Sequence, residues 1–148
     1  EGIKDYFSPT KLYKITYEVN GITKTGYYSF VLISNANRIA GINNFYRDVK
    51  LDDDKFEVLL CNFNRRKDII KTFSLLMTMD ATKVSGVEFY KTNNMKIEFE
   101  DYPKYSWCID GEKLNRANLK YEIKNINKVK IMLPTKNINK IFVNKKID

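Results

Sequence analysis

Hydrophobic and polar residues alternate near the start of the chain. Apolar or aromatic residues occupy every second position over 13–19, and this period of two is typical of a strand with one buried face. Asn20-Gly21 follows, a pair that favours the positive φ angles needed at both central positions of a type I′ turn. The run over 22–34 is rich in Tyr, Phe, Val and Ile, which predicts the returning strand of a hairpin.

The middle of the chain predicts a loop, a strand and a helix, in that order. Residues 35–54 are polar, rich in asparagine and without a sustained period, which predicts a long loop. An apolar run predicts a strand over 56–63, and a helix is predicted over 65–79. One face of that helix carries Ile69, Ile70, Phe73, Leu76 and Met77. We expect this face to pack on the sheet, with membrane insertion as the alternative because lysines flank it.

Short strands separated by turn signals fill the second half of the chain. They are predicted over 86–90, 95–100, 105–109, 119–123, 129–133 and 141–143. Many short strands at this spacing are typical of a sandwich or of a strongly bent sheet, and not of a parallel α/β fold. We therefore expect one domain over 1–148 that is mainly β, an antiparallel β-sandwich with one packed α-helix at about 65–79.

Composition excludes several kinds of chemistry. The 148 residues include no histidine and only two cysteines, Cys61 and Cys108, so histidine-based triads and structural zinc sites are excluded. Both cysteines lie in apolar runs, which predicts two reduced thiols in the core. A single disulfide in an oxidising compartment is the alternative. No run reaches the roughly 18 apolar residues of a membrane-spanning helix, so we expect a soluble chain.

The charge is compatible with an anionic partner but does not require one. Lys and Arg number 26 against 18 Asp and Glu, for a net charge of +8. A solvated basic surface is the simplest interpretation, followed by attraction to an acidic membrane. The alternative function is a non-enzymatic basic β-module that binds nucleic acid or anionic membrane. Its stacking or anchoring residues would be Tyr27, Tyr28, Tyr46 and Trp107.

Two acidic segments are candidate sites. Asp110-Gly111 favours a tight turn, and Glu112 would stand at its tip or on the first returning residue, where a carboxylate can act as a general base. Three consecutive aspartates crowd the loop 50–55, an oxygen-rich environment that suits Mg²⁺ or Ca²⁺. For both segments a plain solvated turn is the alternative. The six glycines are dispersed, so no glycine-rich phosphate loop is expected in this chain.

These features follow the order of a known family. They are Ser34-Asn35, Ala40-Gly41, Phe45, Lys50-Leu51-Asp52-Asp53, Phe56-Glu57-Val58 and Asp110-Gly111-Glu112. In this order they resemble the C-terminal domain of the diacylglycerol kinase catalytic family, the soluble bacterial lipid kinases related to sphingosine and ceramide kinases. The likeness covers about 27–133. It departs from the family at Asp54, where glycine is usual, and at Arg47, where proline is frequent.

The resemblance implies the acceptor-lipid side of an ATP-dependent kinase that phosphorylates diacylglycerol or a related lipid hydroxyl. Glu112 would be the catalytic base that takes the proton of that hydroxyl. Asp53 would ligate a structural Mg²⁺, with the backbone carbonyls of Lys50 and Lys55 as further ligands. The family's Gly-Gly-Asp-Gly-Thr nucleotide motif does not occur in this chain. ATP, the co-substrate, would therefore bind mainly to a missing N-terminal domain.

Partners and location follow from the same resemblance. The expected partners are the N-terminal nucleotide-binding domain of the same parent chain and a lipid substrate at a membrane surface. A homodimer is left open, and no specific nucleic acid is expected. The parent protein would be cytoplasmic and peripherally membrane-associated, because each nearby lysine or arginine adds about 1 kcal/mol of attraction to anionic headgroups. This chain alone is expected to be inactive.

Overall fold

The structure is a computed structural model. It describes residues 9–36, 38–39, 42–43, 49–65, 67–68, 70, 84–104, 106–115 and 117–126. The described residues form eleven strands, in chain order β1 (Tyr13–Val19), β2 (Ile22–Tyr28), β3 (Phe30–Ser34), β4 (Arg38–Ile39), β5 (Ile42–Asn43), β6 (Phe56–Cys61), β7 (Val87–Thr92), β8 (Asn94–Phe99), β9 (Cys108–Ile109), β10 (Glu112–Lys113) and β11 (Lys120–Lys124).

The longer strands form two antiparallel sheets. One sheet has four strands in the order β11-β8-β1-β2, and the other has three strands in the order β3-β6-β7. The short strands pair as the hairpins β4-β5 and β9-β10. Every described strand pair is antiparallel. The prediction of a mainly β fold with antiparallel sheets is confirmed.

The core lies where the two sheets face each other. Its buried residues come from β1, β2, β6 and β8, namely Ile15, Tyr17, Val19, Tyr28, Phe56, Val58, Leu60, Met95, Ile97 and Phe99. In β8, and in β1 from Ile15 onward, every second residue is buried, as the alternating sequences predict. Full burial of one such apolar side chain contributes roughly 1.5–3 kcal/mol.

Strand β6 is buried on both faces, and all six of its residues are inaccessible. Its second face, with Leu59 and Cys61, belongs to another cluster that contains Val49, Phe63 and Val84. This explains why the apolar run around β6 is continuous where β1 and β8 alternate, since a strand covered on both sides needs apolar residues on both.

The first hairpin forms as predicted, but its second strand is not continuous. Asn20 and Gly21 have φ angles of 50° and 75°, the geometry expected of their turn. The predicted strand over 22–34 divides at Ser29 into β2, which pairs in the four-stranded sheet, and β3, which pairs in the other. Ser29 fixes this corner, because its N–H donates to the Cys61 carbonyl at 2.8 Å. One continuous run of β-forming residues therefore contributes one strand to each of the two sheets.

Other predicted elements shift or fall outside the described residues. The strands predicted over 86–90, 95–100, 105–109 and 119–123 correspond to β7, β8, β9 and β11, displaced by a few residues. Those over 129–133 and 141–143 lie outside the described residues. The predicted loop 35–54 is not free of strands, since β4 and β5 pair within it.

The predicted helix over 65–79 lies mostly outside the described residues. Lys67, Asp68 and Ile70 have helical backbone, while Arg65 forms an isolated bridge with Pro9. These residues do not make up a helix in the described structure, so the packed helix stays a prediction. Within the described ranges, no helix has the length and apolar character that crossing a lipid bilayer requires.

Candidate functional site

Glu112 stands on a tight hairpin. Asp110 and Gly111 turn the chain with φ angles of 50° and 90°, and Glu112 pairs with Ile109 on the first returning position. Successive positive φ values are typical of a two-residue type I′ turn. The Glu112 side chain is exposed, and none of the described residues gives its carboxylate a hydrogen bond or ion pair. A substrate can therefore reach this carboxylate.

The base of the hairpin is anchored to the four-stranded sheet. The Trp107 ring packs edge-on against Phe99, at 6.4 Å between centroids, and against Tyr121 at 5.4 Å. The Leu114 N–H donates to the Trp107 carbonyl at 2.8 Å, and the Ser106 hydroxyl donates to the Leu114 carbonyl at 2.7 Å. These contacts fix the hairpin at its base while its tip projects outward.

Cys108 corrects the interpretation of the cysteines. Cys61 is buried, and burial raises the pKa of its thiol to about 12. Cys108 lies on the hairpin and is exposed, and both thiols are free. The prediction of two core cysteines is wrong for Cys108, because the apolar run around it belongs to a two-residue strand that projects from the sheet and not to a core strand.

The acidic loop leads directly into β6. One carboxylate oxygen of Asp53 accepts a hydrogen bond from the Lys55 N–H at 3.1 Å, which closes a small turn. Asp54 has φ of 57°, in the left-handed region that favours glycine. Aspartate tolerates this region better than most residues. Asp54 therefore occupies a backbone conformation in which glycine is the usual residue.

A buried carboxylate lies next to this loop in sequence and in space. Glu57 is 0% exposed, its two carboxylate oxygens have no hydrogen-bond partner, and the Lys91 ammonium lies 3.6 Å from one of them. Burial raises the pKa of Glu57, Lys91 opposes this shift, and the charge of Asp53 adds to it. The neighbouring Ser34 hydroxyl is also buried without a partner.

The acidic loop fits a divalent cation through mixed oxygen ligands. Among the described residues, no three side chains from His, Cys, Asp and Glu converge on one point. The expected site has a different composition, with the Asp53 carboxylate and the backbone carbonyls of Lys50 and Lys55. Such carboxylate and carbonyl oxygens are what Mg²⁺ and Ca²⁺ accept. The partnerless oxygens of Glu57 and Ser34 beside the loop are consistent with a bound cation.

A second acidic centre lies between the two sheets, and we call it the Glu88 cluster (Glu88, Tyr17, Tyr28, Tyr90 and Lys24). One oxygen of Glu88 accepts hydrogen bonds from Tyr17 at 2.7 Å, Tyr90 at 2.8 Å and Lys24 at 3.1 Å. Its other oxygen accepts one from Tyr28 at 2.6 Å. The residues come from β1, β2 and β7, so the cluster joins the four-stranded sheet to the three-stranded one.

Gly26 makes room for this cluster. A Cβ atom at position 26 would lie 2.7 Å from the Tyr28 hydroxyl and 2.8 Å from the neighbouring ring carbons. Real Cβ atoms do not approach other atoms so closely. The Tyr28 ring therefore lies across the backbone at Gly26 and reaches Glu88 from there.

The cluster is ionised at Glu88 and protonated at its tyrosines. Burial by itself raises the pKa of Glu88, but the hydrogen bonds from the three tyrosines and Lys24 outweigh it and lower the pKa to about 2. Burial and the bond to Glu88 raise the pKa of Tyr28 to about 12 and that of Tyr17 further. Such a fully bonded arrangement is typical of a structural element and not of a catalytic one.

Acid is expected to weaken the fold through Glu88. Its folded pKa of about 2 lies below the ordinary value of 4.5, so its contribution is present above pH 4.5 and is lost as pH falls toward 2. We expect Glu88→Gln to cost about 2 kcal/mol at neutral pH after allowance for solvent screening, and less at about pH 3. Urea unfolding of both proteins across this range measures the difference. A difference that stays constant down to about pH 3 would contradict the assignment.

A groove of about 490 Å³ crosses the outer face of the four-stranded sheet. Cross-strand ion pairs line it, including Lys96–Glu18 at 3.1 Å and Lys120–Glu98 at 3.0 Å. Neither Glu112 nor Asp53 contributes to its wall. Charges that pair with each other across an open sheet are typical of a solvated face.

Solved structures share this arrangement of strands. A protein provisionally described as a diacylglycerol kinase, from Bacillus anthracis strain Sterne, matches 78% of this chain with a TM-score of 0.61 and 15% identity. This chain therefore shares its fold with that protein. A second structure with the same provisional description, from the same strain, matches 78% of the chain with a TM-score of 0.55 and 15% identity.

The chain corresponds to part of these proteins. It spans 40% of the first and 38% of the second. No protein-family model matches the sequence, and no curated protein does so at a significant level. At 15% identity this likeness shows a shared fold and does not show a shared activity.

Within this diacylglycerol kinase-like fold, the predicted site residues fall into two groups. Glu112 belongs to the β9-β10 hairpin on the four-stranded sheet, while Lys50, Asp53 and Lys55 form the loop before β6 of the three-stranded sheet. Glu112 has no hydrogen bond or ion pair to the described residues of this loop. Glu112 and Lys55 are exposed, while Lys50 and Asp53 are half-buried.

Sequence reasoning missed Glu57 and Glu88. Glu57 is the single charged residue inside the fully buried β6, and a charge in such a run is itself a signal, since glutamate is almost never fully buried unless paired. Glu88 alternates with Val87 and Phe89, which places it on the opposite face of the strand. Two of the tyrosines that bond to it, Tyr17 and Tyr28, come from distant segments, so that face could not be identified as interior from sequence.

The aromatic surface of the alternative function is mostly absent. Tyr28 is 5% exposed, and Trp107 packs against Phe99 and Tyr121. Tyr46 lies outside the described residues. Of the three candidates that the structure describes, only Tyr27 is largely exposed, at 55%, and one ring does not provide the series of stacking platforms that single-stranded nucleic acid binds.

Proposed function

We propose that this chain forms the acceptor-lipid side of an ATP-dependent lipid kinase, with Glu112 as the general base. The acceptor would be the hydroxyl of diacylglycerol or of a related lipid. The observation that carries this proposal is the position of Glu112 as an exposed, unpaired carboxylate on a rigidly anchored hairpin. The diacylglycerol kinase-like fold supports the choice of reaction.

A general base must reach its substrate's proton and must not be engaged elsewhere. The acidic side chains that line the outer sheet face are held by lysines, as in the pairs of Glu18 and Glu98. Glu88 is held by the hydroxyls of its cluster, and Glu57 is fully buried. Glu112 therefore meets both requirements better than these other carboxylates.

In the proposed reaction, the carboxylate of Glu112 accepts the proton of the lipid hydroxyl. The lipid oxygen forms a bond to the γ-phosphorus of ATP while the bond from that phosphorus to the β,γ-bridging oxygen breaks. ADP leaves, and the phosphorylated lipid is released. Positioning of the two reactants supplies much of the rate in such transfers, and the Trp107 anchor would hold the base in place.

ATP would be bound mainly by an N-terminal nucleotide-binding domain of the same parent chain. This proposal rests on the dispersed glycines of the chain and on the fraction of its structural neighbours that it spans. When bound at the acidic loop, Mg²⁺ would supply a positive charge that holds the loop's oxygens together. Asp53 would bind it through its carboxylate, and Lys50 and Lys55 through their backbone carbonyls.

The proposed enzyme acts at the cytoplasmic surface of a membrane, where its lipid substrate lies. The net charge of +8 favours approach to anionic headgroups. We propose peripheral association, with the Glu112 hairpin facing the lipid, because Ile109 at its tip is 55% exposed.

The test is transfer of labelled phosphate from ATP to diacylglycerol in mixed vesicles, using the chain joined to the proposed nucleotide-binding domain. Glu112→Gln keeps the shape of the side chain and removes its basicity, so we expect turnover to fall by about 10²–10⁴-fold, the usual contribution of a general base. Binding of ATP is expected to be unchanged.

Glu122→Gln is the matched control. Glu122 is also an exposed strand glutamate, but it pairs with Lys124 at 2.9 Å, and its loss should leave turnover within about twofold. Full turnover in Glu112→Gln would refute the proposed base. Salt-sensitive binding of single-stranded nucleic acid, without any lipid phosphorylation, would favour the basic β-module instead.

A further inference from the structure

Three side chains form a row across the three-stranded sheet, and we call it the Glu57 row. Ser34 of β3, Glu57 of β6 and Lys91 of β7 lie directly opposite one another in the strand register. Directly opposed residues point to the same face with Cβ atoms about 5 Å apart. The row therefore places a hydroxyl, a carboxylate and an ammonium side by side.

The row is buried but incompletely bonded. Glu57 is 0% exposed and neither of its oxygens has a hydrogen bond, while the Ser34 hydroxyl is buried and equally partnerless. Lys91 lies 3.6 Å from one Glu57 oxygen, and 27% of its side chain is exposed. A single lysine beyond hydrogen-bonding distance does not compensate a fully buried carboxylate, whose burial is costly without bonds to it.

The acidic loop adds negative charge beside the row. Asp53 precedes Glu57 by four residues, and its charge acts on Glu57. Two carboxylates, the fully buried Glu57 and the half-buried Asp53, therefore carry more negative charge than Lys91, the one cation of the row, supplies. Mg²⁺ or Ca²⁺ would balance this negative charge, because both take hard oxygen ligands and neutralise two carboxylates at once.

We propose that Glu57 and Ser34 are ligands, directly or through one water, of the divalent cation held by the Asp53 loop. This inference rests on the metal loop of the proposed function and adds residues to it. The cation then links the loop to the middle strand of the sheet.

The effect of Glu57 on stability should depend on whether the cation is bound. Glu57→Gln removes a buried charge and keeps the side chain's volume, so without a cation the variant should be at least as stable as the wild type. With a cation the order should reverse, since only the wild type is stabilised by binding. A purely structural Glu57 would not produce this reversal.

The test is Mg²⁺ and Ca²⁺ binding by the 148-residue chain, by calorimetry and by the rise in Tm between EDTA and excess cation, at matched ionic strength. We expect Glu57→Gln to weaken binding at least about tenfold, and Asp53→Asn to weaken it as much or more. Glu98→Gln, which removes an exposed carboxylate paired with Lys120, should bind like the wild type.

The binding results distinguish a cation site that includes Glu57 from a site formed by the loop alone and from no site. Wild-type affinity in Glu57→Gln, with loss in Asp53→Asn, overturns this inference and leaves the loop site standing. No binding by the wild type overturns both, while the Glu112 assay judges the kinase proposal independently. If Glu57→Gln fails to fold, Ser34→Ala replaces it, and weaker binding supports the shared site whereas unchanged binding overturns it.

Discussion

Replacing Glu88 by alanine should lower the free energy of unfolding by about 3 kcal/mol. The substitution leaves Tyr17, Tyr28 and Tyr90 without their common acceptor and removes the partner of Lys24. Hydrogen bonds to a charged group contribute about 1.5–3 kcal/mol each. The total is smaller than their sum, because 35% of the Glu88 side chain is exposed and water can replace part of what is lost.

Urea unfolding followed by circular dichroism measures this effect. Glu98→Ala is the control, because Glu98 is a strand glutamate with a single exposed lysine partner. Its loss should cost less than about 1 kcal/mol. Equal destabilisation by the two substitutions would show that the Glu88 cluster contributes no more than a surface ion pair.

Leu60→Ala should have an effect of similar size for a different reason. Leu60 is 0% exposed and lies in the core between the sheets. Truncation removes buried methyl groups and leaves a cavity, which together cost about 2–5 kcal/mol in comparable cores. We expect a value in the upper half of that range, because the flanking residues of β6 are also buried and cannot easily close the gap.

Ile22→Ala provides the comparison for Leu60→Ala. Ile22 is an aliphatic strand residue of similar size, but it is 49% exposed, so its truncation should cost under about 1 kcal/mol. Chemical unfolding of both variants gives the two values. A cost below about 1 kcal/mol for Leu60→Ala would mean that the two sheets do not pack against each other as described.

Local patterns predicted most of the strands. Period-two alternation located β1 and β8, and Asn20-Gly21 and Asp110-Gly111 located two turns whose φ angles agree with their sequences. Such features depend on neighbouring residues alone, so one sequence suffices to find them. The corner at Ser29 escaped prediction, because the change of sheet there depends on a hydrogen bond to Cys61 in a distant strand.

The candidate site was predicted in part. Glu112 could be placed on its hairpin because the turn next to it is local, and Asp53 because its loop precedes an apolar run. Glu57 and Glu88 could not be assigned in this way. The environment of each is created by residues far away in sequence, such as Tyr17, which is 71 residues from Glu88. An isolated charge in a strand signals that a partner exists without identifying it.

The family resemblance extended the prediction beyond local patterns. It implied a sandwich of the diacylglycerol kinase type, and the structural likeness at 15% identity agrees with it at the level of the fold. Its finer content concerns Glu112, the metal loop and an ATP-binding partner domain. Those elements depend on particular side chains and on residues outside this chain, so they await the experiments above.

The position of Lys24 is expected to reduce aggregation between molecules of this chain. It lies on the edge strand of the described four-stranded sheet, directly opposite the buried Tyr17, and points toward Glu88. An exposed edge can pair with the edge of another molecule and begin aggregation, and a charge on the inward face of that edge opposes such pairing. Lys24 therefore opposes pairing of the β2 edge with the edge of another molecule. The same side chain bonds to Glu88 and so helps to join the two sheets.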